Sequence, residues 1–119
     1  MVLFNVSKKA VVARRVRTAA SFWTRLAGLI GKPSLPAGEA LLLKNCGAVH
    51  TCFLRFEIDV AFLDHKGKVL EMVTGLRPYR FPRPVRGACQ VVELPAGTLQ
   101  RTGTLPGDVL TLLAREEGR

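Results

Sequence analysis

Acidic side chains are scarce in this sequence. Nine Asp and Glu stand against eighteen Lys and Arg, a formal net charge of +9. That balance favours an anionic partner such as nucleic acid, a lipid surface or an acidic protein, although a basic chain without any such partner carries the same sum. Cysteine is also sparse: Cys46, Cys52 and Cys89 are odd in number and share no short repeated spacing. They exclude a secreted disulfide framework and predict reduced thiols in a cytoplasmic protein. No apolar run is long enough to cross a bilayer. The opening "MVLFNVSKKAVVARRVR" meets Lys8 and Lys9 too early for a signal peptide. Walker loop, Rossmann glycine pattern, nucleophile elbow and His-Glu-x-x-His are all missing, so no cofactor is expected.

What is present is a core. Hydrophobic residues make up 48% of 119 residues. This excludes disorder and predicts a single domain over 1–119 that needs no staples. "VLFNVSKKAVVARRV" reads as two short strands about a tight turn. "ASFWTRLAGLIGK" reads as a helix. Phe22, Leu26, Leu29 and Ile30 recur at three-and-four spacing, between a cap at Ser21 and a stop at Gly31. Pro33 and Pro36 exclude its continuation. Beyond them the chain reads as strands: "EALLLK", "AVHTCFLRF", "IDVAFLD", "KVLEMV" after a "DHKG" turn, "ACQVVEL", and "VLTLLA" after an "LPGD" turn. The expected fold is mostly β within the α+β class: a small β-sandwich or barrel with one helix packed against it.

Three groups of residues resemble a known family. The first is Arg25, Gly28, Leu29, Leu35 and Gly38. The second is His50, Thr51 and Phe53 leading to Ile58, Asp59, Phe62, Leu63, Asp64, Gly67 and Val69. The third is Glu93, Leu94 and Gly97, then Gly107 and Asp108. Together they resemble the bacterial and archaeal family called domain of unknown function 192, in its His-Thr variant, over about Ala20 to Leu113. Ile30 replaces a usual methionine, and Glu57 a usual proline. The resemblance implies a compact, jelly-roll-like β domain and supplies a fold more than a function.

Several side chains could carry chemistry. On an extended "IDVAFL", Ile58, Val60 and Phe62 share one face, and Asp59 shares the other with Ala61 and Leu63. Both faces are apolar, so Asp59 is expected buried and in need of a partner. Arg25 and Glu93 are the candidates for a shared ion-pair network with it. His50 and Thr51 are the second focus: a general base or ligand beside Cys52, or a histidine satisfied at a strand end. Cys46, His50 and Cys52 lack paired zinc-ligand spacing and a fourth ligand, so no metal site is expected. His65 falls in the "DHKG" turn and reads as solvated.

The stretch "GLRPYRFPRPVRG" spaces Arg77, Arg80, Arg83 and Arg86 three apart around Tyr79 and Phe81. A period of three fits an extended polyproline-like backbone, enforced by Pro78, Pro82 and Pro84. Two functions follow. In the first, which the sequence favours, a small non-enzymatic binding or accessory domain turns this basic loop toward an anionic partner. In the second, an enzyme or small-ligand binder uses a polar pocket around His50, Thr51, Asp59 and Glu93.

Overall fold

A computed structural model of the chain describes residues 1–19, 33–51 and 54–114. The helix expected over "ASFWTRLAGLIGK", with Arg25, lies outside the described residues, as does Cys52. Within them, eight strands form two sheets. The strands are β1 (Val2–Asn5), β2 (Ala10–Ala13), β3 (Arg15–Ala19), β4 (Glu39–Lys44), β5 (Ile58–Leu63), β6 (Val69–Leu76), β7 (Gln90–Pro95) and β8 (Leu110–Leu113). A three-stranded sheet runs β2-β1-β8, and a five-stranded sheet runs β3-β4-β7-β5-β6. The arrangement is a mostly β, sandwich-like α+β fold.

Seven of the eight expected strands form, with the tight turn between β1 and β2 and the "DHKG" and "LPGD" turns. "IDVAFL" becomes β5, buried at every position, because the larger sheet is covered on both faces. Leu42, Ala61, Leu63, Val92 and Leu94 pack on one face against Leu3, Val12 and Leu110 of the smaller sheet. Leu41, Leu43, Ile58, Val60, Phe62 and Val91 fill the other, under Leu35, Leu54 and the half-buried Val49, Phe56 and Val85. The β5–β6 hairpin closes on Asp64, whose Oδ1 accepts the N–H groups of Lys66 and Lys68, each at 2.9 Å. The Lys68 N–H, with lesser help from Lys66, holds the Asp64 carboxyl below its usual value.

Three features depart from the sequence reading. β3 is an additional strand. It pairs in parallel with β4, Arg15 opposite Glu39, a geometry that requires a crossover connection. "AVHTCFLRF" forms no strand among its described residues. The N–H of Leu54 turns back onto the carbonyl of Thr51 at 3.2 Å, and the apolar residues here cover the sheet without joining it. Finally, "PAGTLQR" holds a short helical turn, Thr98–Arg101, after a left-handed Gly97.

Candidate functional site

Asp59 and Glu93 lie on neighbouring strands but face apart. Asp59 stands opposite Leu94, and Glu93 opposite Val60. Directly opposed residues share a face, so Asp59 points with Leu94 toward the smaller sheet, while Glu93 points with Val60 into the second core. Both are fully buried. The Asp59 carboxylate is occupied: Oδ1 accepts the N–H of Gly75 and Oδ2 the N–H of Leu99, both at 3.0 Å. Gly97 opens the Thr98–Arg101 turn with no side-chain cap, so Asp59 provides from another strand the acceptor that a cap residue normally supplies. Glu93 is engaged in a polar contact of its own. The expected pocket of His50, Thr51, Asp59 and Glu93 therefore does not assemble as one site, because the sheet separates its two carboxylates.

Thr51 belongs instead to the arginine segment. Buried in the same region as the second core, it exchanges main-chain and side-chain bonds with residues 77–80. Its N–H donates to the Arg80 carbonyl at 3.0 Å, and its carbonyl accepts the N–H of Tyr79 at 3.0 Å. Its Oγ1 accepts the N–H of Arg80 at 2.7 Å and donates to the carbonyl of Arg77 at 2.6 Å. Further along, the N–H of Val85 reaches the Gly47 carbonyl at 3.3 Å, and the N–H of Cys46 reaches that of Cys89 at 2.9 Å. The segment from Cys46 to Thr51 thus runs antiparallel to the arginine segment and ties it down at both ends.

This anchoring changes the geometry expected of the arginines. Tyr79 takes φ +60°, whereas a polyproline helix needs φ near −75° throughout. The three-residue edge is therefore broken at Tyr79, and the segment bends at Pro78–Tyr79 and turns again at Arg86–Gly87. A left-handed tyrosine costs about 1–2 kcal/mol; the bonds that Thr51 makes to Tyr79 and Arg80 hold it there. Arg77, Arg80, Arg83 and Arg86 are all exposed. Glu57 approaches Arg77 only to 3.9 Å, across two largely exposed side chains, and neutralises little. Tyr79 and Phe81 are 64% and 73% exposed. The half-buried His50 ring lies 5.7 Å from that of Phe81, tilted by 38°. His50, expected beside Asp59, is thus part of the arginine loop's support.

A second polar cluster escaped the sequence reading. Asn5 is fully buried, and its Nδ2 donates to Asp108 at 3.0 Å and to Thr104 at 3.2 Å. Lys8 Nζ meets both Asp108 carboxylate oxygens at 2.9 and 3.0 Å. Asn5 and Lys8 together hold the Asp108 carboxyl down at about 2. The signal was available: Asn5 shares its strand face with the core residue Leu3, where an amide needs partners. The cluster ties the β1–β2 turn to the "LPGD" turn, where the N–H of Leu105 also donates to Asp108 Oδ2 at 3.0 Å. Cys46 and Cys89 are free thiols, and Cys46 Sγ donates to the Ala48 carbonyl at 2.8 Å. Among the described residues no three His, Cys, Asp or Glu side chains are grouped to hold a metal ion, and no helix is long and apolar enough to cross a membrane.

Known proteins are similar to this chain in sequence or in fold. A UPF0127 protein of Thermococcus sibiricus is 30% identical over 119 residues, covering 97% of this chain and 77% of its own. A UPF0127 protein of Pyrococcus furiosus is 35% identical over 111 residues, covering 91% and 95%. The crystal structure of a protein of unknown function from Novosphingobium aromaticivorans superposes with a TM-score of 0.76 at 20% identity, over 93% of this chain and 82% of that one. The family model described as "Uncharacterized ACR" matches residues 3–112. The chain therefore belongs to this family, domain of unknown function 192.

Proposed function

We propose that the protein is a small, non-enzymatic binding domain whose arginine loop docks an anionic partner, in a reducing, cytoplasmic setting that suits its free thiols. The observation that carries this reading is the anchoring of residues 77–80 on buried Thr51. A loop already ordered before binding loses little further entropy when it meets a partner. Pro78, Pro82 and Pro84 stiffen it further. Its guanidinium groups project into solvent with one distant acid beside them. The pocket-based alternative has less support, since Asp59 and Thr51 are used on main-chain hydrogen bonds.

Retention on heparin tests the reading. Wild type is expected to elute at high salt. The variant R77Q/R80Q/R83Q/R86Q is expected near the void with its fold intact by circular dichroism. Equal elution of the two would reject the loop as the docking element.

A further inference from the structure

We infer that the partner of the arginine loop is single-stranded nucleic acid, its bases stacked on Tyr79 and Phe81. This rests on the loop being the docking element proposed above. Two aromatic side chains, separated only by Arg80, stand 64% and 73% exposed on one short segment. Their positions are set from beneath. The Tyr79 backbone is held left-handed by the carbonyl of Thr51, and the Phe81 ring is flanked by His50 at 5.7 Å. Prolines adjoin both, Pro78 before Tyr79 and Pro82 after Phe81, and restrict the backbone that carries the rings.

Ring faces interleaved with guanidinium groups match what a flexible nucleic-acid strand offers: a planar base and a phosphate at every step. Other anionic partners use only part of this surface. A duplex keeps its base faces inside the stack, and its major groove admits a helix or a two-stranded ribbon, neither of which this loop provides. An anionic bilayer would accept the rings at its interface and Arg77, Arg80 and Arg83 at its headgroups, but it offers no planar base face for the rings to stack on. Carboxylates of an acidic peptide would occupy the guanidinium groups and leave the ring faces bare.

The test uses the full chain with an oligouridylate, a duplex of equal length and vesicles containing phosphatidylserine. The variant Y79S/F81S is compared with wild type, and heparin retention serves as the control for loop charge. The oligouridylate is expected to bind at least about tenfold more tightly than the duplex or the vesicles. Y79S/F81S is expected to lose about tenfold per ring while keeping its heparin retention. Tyr79, the single tyrosine of the chain, is expected to show upfield ring-proton shifts when the oligomer binds. Undiminished oligouridylate binding by Y79S/F81S, or equal or tighter binding of the duplex or the vesicles, would overturn the inference while heparin retention leaves the loop reading standing. Failure of wild type to bind heparin would remove both.

Discussion

Thr51 and Arg80 are joined through both main chain and side chain. The Thr51 N–H donates to the Arg80 carbonyl at 3.0 Å, and the Arg80 N–H donates to Thr51 Oγ1 at 2.7 Å. A buried threonine thus clasps an exposed arginine loop across twenty-nine positions of sequence.

Thr51→Val keeps the shape of the side chain and removes its oxygen. The Arg80 N–H then loses its acceptor, at a cost of about 1–3 kcal/mol. The expected results are a lower melting temperature, faster amide exchange at Arg80 and earlier elution from heparin, with Thr51→Ser retaining wild-type behaviour. Unchanged exchange at Arg80 in Thr51→Val would show that Oγ1 does not hold the loop.

Asp59→Ala removes acceptors from two main-chain N–H groups, Gly75 and Leu99. The expected loss is about 3 kcal/mol or more in denaturant unfolding. Asp59→Asn, which keeps one oxygen, should fall between. Glu57→Ala, at an exposed and distant ion pair, should stay within about 0.5 kcal/mol of wild type. Similar stabilities for Asp59→Ala and Glu57→Ala would refute the capping role.

Gly67 has φ +86°, and a Cβ there would collide with the Leu110 carbonyl oxygen. Gly103 has φ +68° and open space around it. Gly103→Ala should cost only the strain of a left-handed alanine, about 1–2 kcal/mol. Gly67→Ala should cost clearly more, because the junction with β8, including the bond from Leu110 N–H to the Gly67 carbonyl, must shift. Thermal melts of the two variants make the comparison, and equal losses would contradict the close approach seen between Gly67 and Leu110.

Asp108 sets an acid limit on stability. Its pKa falls from 3.8 to about 2 in the folded protein, first through Asn5 and then through Lys8. A depressed carboxyl pKa contributes stability in full above the unfolded value. That contribution fades as pH falls from about 4 to about 2. Lys8→Met should raise the folded pKa and flatten this part of the stability curve. Urea unfolding of wild type and Lys8→Met across that window provides the check. Parallel curves would show that Lys8 does not stabilise the charged carboxylate.

The strands were largely legible because their residues alternate or run apolar in short blocks, as in "EALLLK" and "IDVAFL". The burial of Asp59 was legible for the same reason. Its separation from Glu93 was not, because the two residues sit on different strands. Only register decides whether such residues share a face, and one residue of slip reverses the answer. "AVHTCFLRF" misled because Val49, Leu54 and Phe56 pack over a sheet without pairing into it. β3 was missed because "RVRTA", at the edge of its sheet, is mostly exposed. The spacing of the arginines suggested one continuous edge, and the left-handed Tyr79 that breaks it depends on Thr51, a residue distant in sequence.

This loop, and not the overall excess of basic residues, is proposed to recognise an anionic partner. Two variants of equal charge test it most directly. R77Q/R80Q/R83Q/R86Q empties the loop, and R14Q/R15Q/R17Q/R101Q removes exposed arginines elsewhere. The measurement is the salt concentration at which each elutes from heparin. A large drop is expected for the loop variant and a small one for its charge-matched counterpart. Equal drops would mean that the +9 net charge alone explains the binding.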